Sequence, residues 1–346
     1  MVPKPEKHGA EVILCTMPRF LTGLIVTDVR GFDPFPYKGR QIVLNLRDAS
    51  GECRDGGEID LRTRKRFGPR EVVIEARDET AAARFNLLIN FSLDLLRGDQ
   101  IYSPIAEDIG LDLWDENDIG AIPKDTSGHY RRFFNEPNIP RACKIALRVT
   151  SRRAYEYALS KWKLSHRVVS VPVIDFDPSQ SERMPKSPYA FDHVRYAYAI
   201  IMCYSVLEEL GLEVRASKEQ PSTIKGEWNP AVKDELMKRL KSARVNVTEK
   251  FDWMIRGQRT KLEKEHPARV VSPAPWAQWD VRDAVVELVD AIAHVSWLRS
   301  KISSHRMKHD LVRLLSIYDV ANAQFLVRRL LLETLGFWMP VPMEST

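Results

Sequence analysis

The sequence predicts an α+β protein: a strand-rich N-terminal domain with one long helix, followed by an all-α C-terminal bundle. Three observations carry that expectation. Short β-branched runs crowd the early chain. A single apolar stripe at helical spacing, Phe85, Leu88, Ile89, Leu93 and Leu96, follows them. Beyond residue 187, helix start signals, amphipathic periods and stop signals alternate to the end. The chain has 346 residues, 44% of them hydrophobic, which is enough for a sizeable core. At roughly 100–200 residues per domain, that length suggests at least two domains.

The strands come first. TGLIVTDV (22–29), QIVLNLR (41–47), EIDLR (58–62) and REVVIEAR (70–77) are each bounded by turn-forming residues. DASGECRDGG, with its Asp-Gly-Gly, suits a turn that needs positive φ. Asp78 is placed to N-cap a helix over Glu79–Arg97, and Gly98 to end it. Residues 1–102 are therefore read as one α+β domain.

Periodicity then disappears over residues 103–140. Within them, 107–118 hold six acidic side chains and no basic one, which reads as an acidic, solvated linker. Residues 141–169 invert the sign, with eight basic side chains against Glu156 alone. Tyr155, Tyr157 and Trp162 are interleaved with Arg152, Arg153 and Lys161. Cations neutralise phosphates and aromatic faces stack on unpaired bases, so this mixture fits a single-stranded RNA track. It equally fits a basic helix whose aromatics belong to the core. The span 141–188 is read as this basic arm and a Pro- and Ser-containing spacer.

Helices fill the bundle, 189–340. Ser187 and Pro188 start one that runs to Gly211, and Asn229–Pro230 repeats the signal for a helix to about Arg244. Thr248 is read as opening another, to about Glu265. Asp280 is read as capping a helix whose Val281, Val285, Leu288, Ile292 and Val295 share a face. The last helix ends at Leu335, before Gly336.

Several classes are set aside by composition. Cys15, Cys53, Cys143 and Cys203 form no CxxC pair, so neither a zinc ribbon nor a disulfide framework is indicated. The opening MVPKPEKHGAEVILC lacks the apolar core of a signal peptide, and no run approaches the ~18 apolar residues of a membrane span. The expected location is the cytoplasm, with no membrane partner. No Walker loop, dinucleotide fingerprint or nucleophile elbow is found. The formal net charge is +5, but residues 1–140 carry 19 basic and 23 acidic side chains against 33 and 24 in 141–346. That asymmetry points to a polyanion partner for the second half.

The segment that carries chemistry is Trp297-Leu-Arg-Ser-Lys-Ile-Ser-Ser-His-Arg-Met-Lys-His309. Arg299 and His305 stand six positions apart, roughly 240° around a straight helix, so they do not share a face. The Ser303–Ser304 pair offers a break there, because serines compete for backbone hydrogen bonds. A bend would let the two side chains converge.

An Arg, a polar neighbour and a His at this spacing, in a C-terminal helical bundle, resemble the HEPN family (higher eukaryotes and prokaryotes nucleotide-binding domains). The likeness spans Tyr189–Trp338, including YAYAIIMCYSVLEELG as the leading helix and DVANAQFLVRRLLLETLGFW as the closing one. Ser300 stands where the family often has Asn, Asp or His. The resemblance implies a metal-independent endoribonuclease without cofactor, acting as a homodimer with two Arg–His pairs across one composite cleft. It also implies a toxin-like or antiviral defence role.

The residue chemistry agrees. RNA carries its own nucleophile, the 2′-OH, so cleavage needs proton transfer and a cation for the phosphoryl oxygens. His titrates near neutrality, and Arg donates bidentately to phosphate. The expected catalytic set is Arg299 as phosphate clamp, Ser300 as orienting hydrogen-bonder and His305 as proton-transfer group. Arg306, Lys308 and His309 are expected RNA contacts, together with Arg152, Arg153, Tyr155, Lys161 and Trp162. Glu208 and Glu209 could reach the same cleft, but exposed glutamates near a helix C-terminus are ordinary and they are not counted as catalytic.

Competing readings stay open. Arg299 can merely cap helix carbonyls, with His305 a surface residue. His305 and His309 have the spacing of a zinc pair, but Arg306 and Lys308 oppose a cation there and the Glu of HExxH is missing. The alternative function is an inactive HEPN-like module for dimerisation or RNA binding. The N-terminal domain would serve as a sensor, a restraint or a substrate selector, with a possible regulatory or sensed protein partner.

Overall fold

A computed structural model describes residues 17–26, 36–39, 41–48, 70–98, 114–115, 138–169, 190–225, 227–256, 281–302 and 315–338. The chain mixes helix and strand and divides into two compact units, 1–86 with 110–140 and 87–109 with 141–346.

The first unit is built on an antiparallel sheet of order β2-β3-β4-β1-β5. Its strands are β1 (Arg19–Val26), β2 (Tyr37–Lys38), β3 (Val43–Asp48), β4 (Arg70–Glu75) and β5 (Trp114–Asp115). Central β4 has Val72, Val73 and Ile74 all buried, as a strand covered on both faces requires. Leu44 of β3 lies opposite Ile74, and Leu21 of β1 opposite Val73. The β1 register slips between Leu21 and Ile25, where the Thr22 hydroxyl donates to the Val72 carbonyl at 2.7 Å. The buried Glu71 carboxylate is neutralised by Arg47, whose Nε donates at 2.9 Å. β1 therefore starts three residues before the run seen in sequence. Two residues of the acidic stretch, Trp114 and Asp115, pair with β1 at the sheet edge. The expected strand 58–62 and its preceding turn lie outside the described residues.

Helix α1 occupies Glu79–Arg97, and Asp78 Oδ1 accepts from the Ala81 amide at 2.7 Å, the N-cap bond the sequence predicts. Gly98 ends it with φ +81.

The second unit contains helices α2 (Ile139–Val149), α3 (Arg153–Val168), α4 (Ala190–Leu210), α5 (Pro230–Ser242), α6 (Leu288–Ile302) and α7 (Ile317–Leu335). Helix α4 is central and packs on α3, α6 and α7. Its sequence is apolar nearly all round, and Ala197, Ala199, Ile200, Cys203, Val206 and Leu207 are fully buried. Asn229 caps α5 by accepting from the Ala231 amide, with Pro230 at the first helical position.

The bundle is not all-α. The helix expected from Thr248 is instead strand β8 (Lys250–Arg256), and the one expected from Asp280 begins as strand β9 (Val281–Glu287). The two pair antiparallel, with Phe251 opposite Val286 and Trp253 opposite Ala284. Phe251 and Trp253 are buried at a period of two, which a helix cannot satisfy. Thr248 does not act as a cap, because its amide and hydroxyl both donate to Asn246 Oδ1. Val281 and Val285 merely happen to stand at helical distances from Leu288. A short hairpin, β6 (Thr223–Ile224) and β7 (Glu227–Trp228), precedes α5.

Arginines from elsewhere in the chain close several helix ends in this unit. Arg328 of α7 donates to the Leu95 and Leu96 carbonyls at the end of α1, at 2.7 and 2.6 Å. Arg195 of α4 donates to Val168 at the end of α3, at 2.8 Å. Arg239 of α5 reaches the Gly211 and Glu213 carbonyls just past α4, and Arg141 of α2 reaches Phe337 just past α7. Carbonyls at helix C-termini lack intrahelical donors, and the dipole there favours a cation. Part of the positive charge of the second half is thus structural.

Gly98 exposes one such contact to test. A Cβ there would lie 2.8 Å from Arg328 Cζ, at a backbone conformation already unfavourable for an L side chain. Gly98→Ala is expected to lower unfolding free energy by at least about 1–2 kcal/mol. Urea denaturation would measure it, and an unchanged midpoint would contradict the capping role.

His166 gives a second prediction. It is buried in α3 against Trp162, with ring centroids 4.6 Å apart, and neither ring nitrogen finds a hydrogen-bond partner. Burial, helped by the nearby Lys163 and Arg328 charges, pushes its pKa down to about 3. The unfolded chain therefore binds a proton between pH 6.5 and 3 that the folded chain refuses, and stability falls as pH drops through that window. His166→Met removes this dependence. Below pH 6, its unfolding free energy relative to wild type is expected to rise by about 1.4 kcal/mol per pH unit. Parallel urea curves at pH 7, 6, 5 and 4.5 check this; a constant difference would refute it.

Candidate functional site

Helix α6 positions the candidate site. Leu288, Ile292, Val295, Leu298 and Ile302 form its buried stripe. Arg299 stands four residues after Val295 and seven after Ile292, so it continues that same face into the last turn, toward α4. Its side chain is 44% exposed in the last turn. The guanidinium lies over the Tyr204 ring of α4, 5.1 Å from the centroid, and 4.0 Å from Glu208 Oε1 one turn further along that helix. Tyr204 and Glu208, four apart, stack on one face of α4 and present a ring and a carboxylate together. Glu208 also accepts from the Ser205 hydroxyl at 3.3 Å. Burial first, and then the Glu208 charge, raise the Tyr204 pKa, while Arg299 opposes them.

Glu209 points the other way. Its carboxylate accepts from Lys161 Nζ of α3 at 2.6 Å. Consecutive residues on a helix diverge by about 100°, so the Glu208–Glu209 pair reaches α6 on one side and α3 on the other. The row Arg299, Glu208, Glu209, Lys161 crosses three helices, with two carboxylates of α4 flanked by a cation on either side.

The other expected site residues fall as follows. Ser300 is exposed, and its hydroxyl donates back to the Trp297 carbonyl at 2.7 Å. His305, Arg306, Lys308 and His309 lie outside the described residues, as do Ser303 and Ser304. Tyr155 and Trp162 are buried at 7% and 0% exposure, so they are core side chains of α3 and not stacking platforms. The basic arm is α2 and α3, packed within the second unit. Of its cations, Lys163 is buried on Asp94 and Lys161 is paired with Glu209. Arg152 and Arg153 are exposed at the start of α3. Arg153 donates to the Tyr157 hydroxyl at 3.0 Å, a bond that raises its pKa.

Tyr204 is not marked out by its place in the sequence. Its only signal is standing one turn before Glu208, which becomes informative once α4 and α6 are known to be neighbours. Among the described residues, no three His, Cys, Asp or Glu side chains are grouped to hold a metal ion. Among the same residues, no helix is long and apolar enough to cross a membrane.

Comparison with family models, curated proteins and solved structures yields no match for this chain.

Proposed function

We propose that this chain is a metal-independent endoribonuclease of HEPN type, cutting RNA by attack of the 2′-OH on the adjacent phosphorus. Arg299 clamps the phosphate, His305 transfers the proton and two copies of the chain form one composite cleft. The observation that carries this reading is Arg299 itself. It sits at the exposed end of α6, braced by an aromatic face and only loosely held by a carboxylate. A guanidinium in that state can accept a new anionic partner at small cost. The proposed setting is the cytoplasm, in a growth-arresting or antiviral role.

The test uses purified protein, single-stranded RNA and excess chelator, with wild type beside Arg299→Ala and His305→Ala. Cleavage by wild type alone is the expected result. Equal cleavage by all three, or loss of wild-type cleavage in chelator, sinks the proposal.

A second reading is favoured by two contacts: Arg299 has a carboxylate within its own chain, and the Ser300 hydroxyl is turned to a backbone carbonyl. In that reading the bundle is an inactive dimerisation or RNA-binding module. It predicts intact RNA in the same assay, with salt-sensitive binding retained.

A further inference from the structure

We infer that Glu208 is a built-in stand-in for a phosphate group, occupying Arg299 until a polyanion displaces it. This deepens the proposed function and rests on it, since the displacing anion is the phosphodiester of RNA. The argument starts from the asymmetry of two adjacent carboxylates. Glu209 holds Lys161 at 2.6 Å, and those side chains are only 27% and 28% exposed. Glu208 meets Arg299 at 4.0 Å, with both side chains above 40% exposure. A direct charge-assisted bond is about 2.7–2.9 Å long. Glu208 therefore attracts the guanidinium without forming the forked pair of which both groups are capable.

The rest of the surroundings agree. The Tyr204 ring centre lies 5.1 Å from the guanidinium carbon, a cation–π contact that uses none of the N–H donors in a forked hydrogen bond. Ser205 gives Glu208 a second contact at 3.3 Å, so the carboxylate keeps a partner when it lets Arg299 go. A phosphodiester presents two non-bridging oxygens, which match the guanidinium fork where the distant carboxylate does not. Until it moves, Glu208 also repels the incoming phosphate. It is a positioning residue acting through Arg299, and its removal should strengthen binding.

The experiment is fluorescence anisotropy with a labelled single-stranded RNA made uncleavable by 2′-O-methylation. Wild type, Glu208→Gln, Arg299→Ala and the double variant are compared. Glu208→Gln is expected to tighten binding about two- to fivefold, the size of an exposed ion contact that no longer has to be broken. In the Arg299→Ala background the same change should do nearly nothing, because the coupling runs through Arg299. Glu209→Gln is the charge-matched control, and its effect should survive Arg299→Ala. On cleavable RNA, Glu208→Gln should lower KM by more than it alters kcat, a split that a merely structural residue would not produce.

Unchanged or weaker binding by Glu208→Gln overturns the stand-in. Equal tightening with and without Arg299 also overturns it, since that reports only the loss of a negative charge. If wild type cuts RNA through Arg299 while Glu208→Gln binds like wild type, the stand-in fails and the nuclease survives. If neither wild type nor Glu208→Gln binds RNA, both fail together.

Discussion

Arg299→Ala is expected to slow RNA cleavage by about 10²–10³-fold, the usual consequence of removing one fixed donor from charge that develops in a transition state. The loss should appear in kcat as well as in binding, because the non-bridging oxygens draw most strongly on the guanidinium as phosphorus becomes five-coordinate. Arg299→Lys should fall between the two. It keeps the charge but loses the planar fork that matches phosphate, and a flexible ammonium stacks less well on Tyr204. Neither change should move the unfolding midpoint far, since the side chain is 44% exposed and its ion contact is long. Single-turnover rates on an end-labelled RNA, with urea curves for each variant, separate a chemical effect from a folding one. A rate for Arg299→Ala equal to wild type would remove the clamp from the mechanism.

Asp94→Ala should be the most damaging single change to the fold of the second unit. Lys163 Nζ donates to Asp94 Oδ2 at 2.6 Å, and the two side chains are 5% and 2% exposed. Lys163 also lies 5.7 Å from the centre of the Phe91 ring. Truncating the carboxylate leaves an ammonium in a site with little water, for a cost of about 3–5 kcal/mol. The pair itself contributes much less than that, because desolvating both charges offsets most of their attraction. Replacing both residues, as Asp94→Leu with Lys163→Met, is therefore expected to restore most of the stability lost by Asp94→Ala. Urea denaturation of the full chain checks both statements. A double variant as unstable as Asp94→Ala would show that the pair does more than neutralise itself.

The helix ends were the most legible part of the fold. Asp78, Gly98, Gly211, Asn229–Pro230 and Gly336 act through their own backbone and immediate neighbours, so local chemistry places them correctly. The β8–β9 pair was not legible. Phe251 and Trp253 are fixed by partners more than thirty residues away, and long-range pairing overrides local spacing. The partners of the basic stretch were hidden for the same reason. Lys163 meets a carboxylate 69 positions back, Lys161 one 48 positions ahead and Arg141 a carbonyl 196 positions ahead. A run of cations in sequence does not reveal which of them are already spoken for.

The site divides similarly. Arg299 can be found from its spacing to His305, which is a property of one segment. Tyr204 and the loose grip of Glu208 depend on α4 lying against α6, and so become visible only in three dimensions. Trp162 and Tyr155 show the reverse error, aromatic residues that suit base stacking by composition but fill a core.

The most direct measurement compares two substrates in excess chelator: an RNA oligonucleotide and its counterpart with 2′-deoxyribose throughout. Wild-type protein is expected to cut only the RNA, leaving 2′,3′-cyclic phosphate ends, and His305→Ala to cut neither. Cleavage of the deoxy substrate at the same rate, or full activity in His305→Ala, would contradict a mechanism that uses the RNA's own hydroxyl.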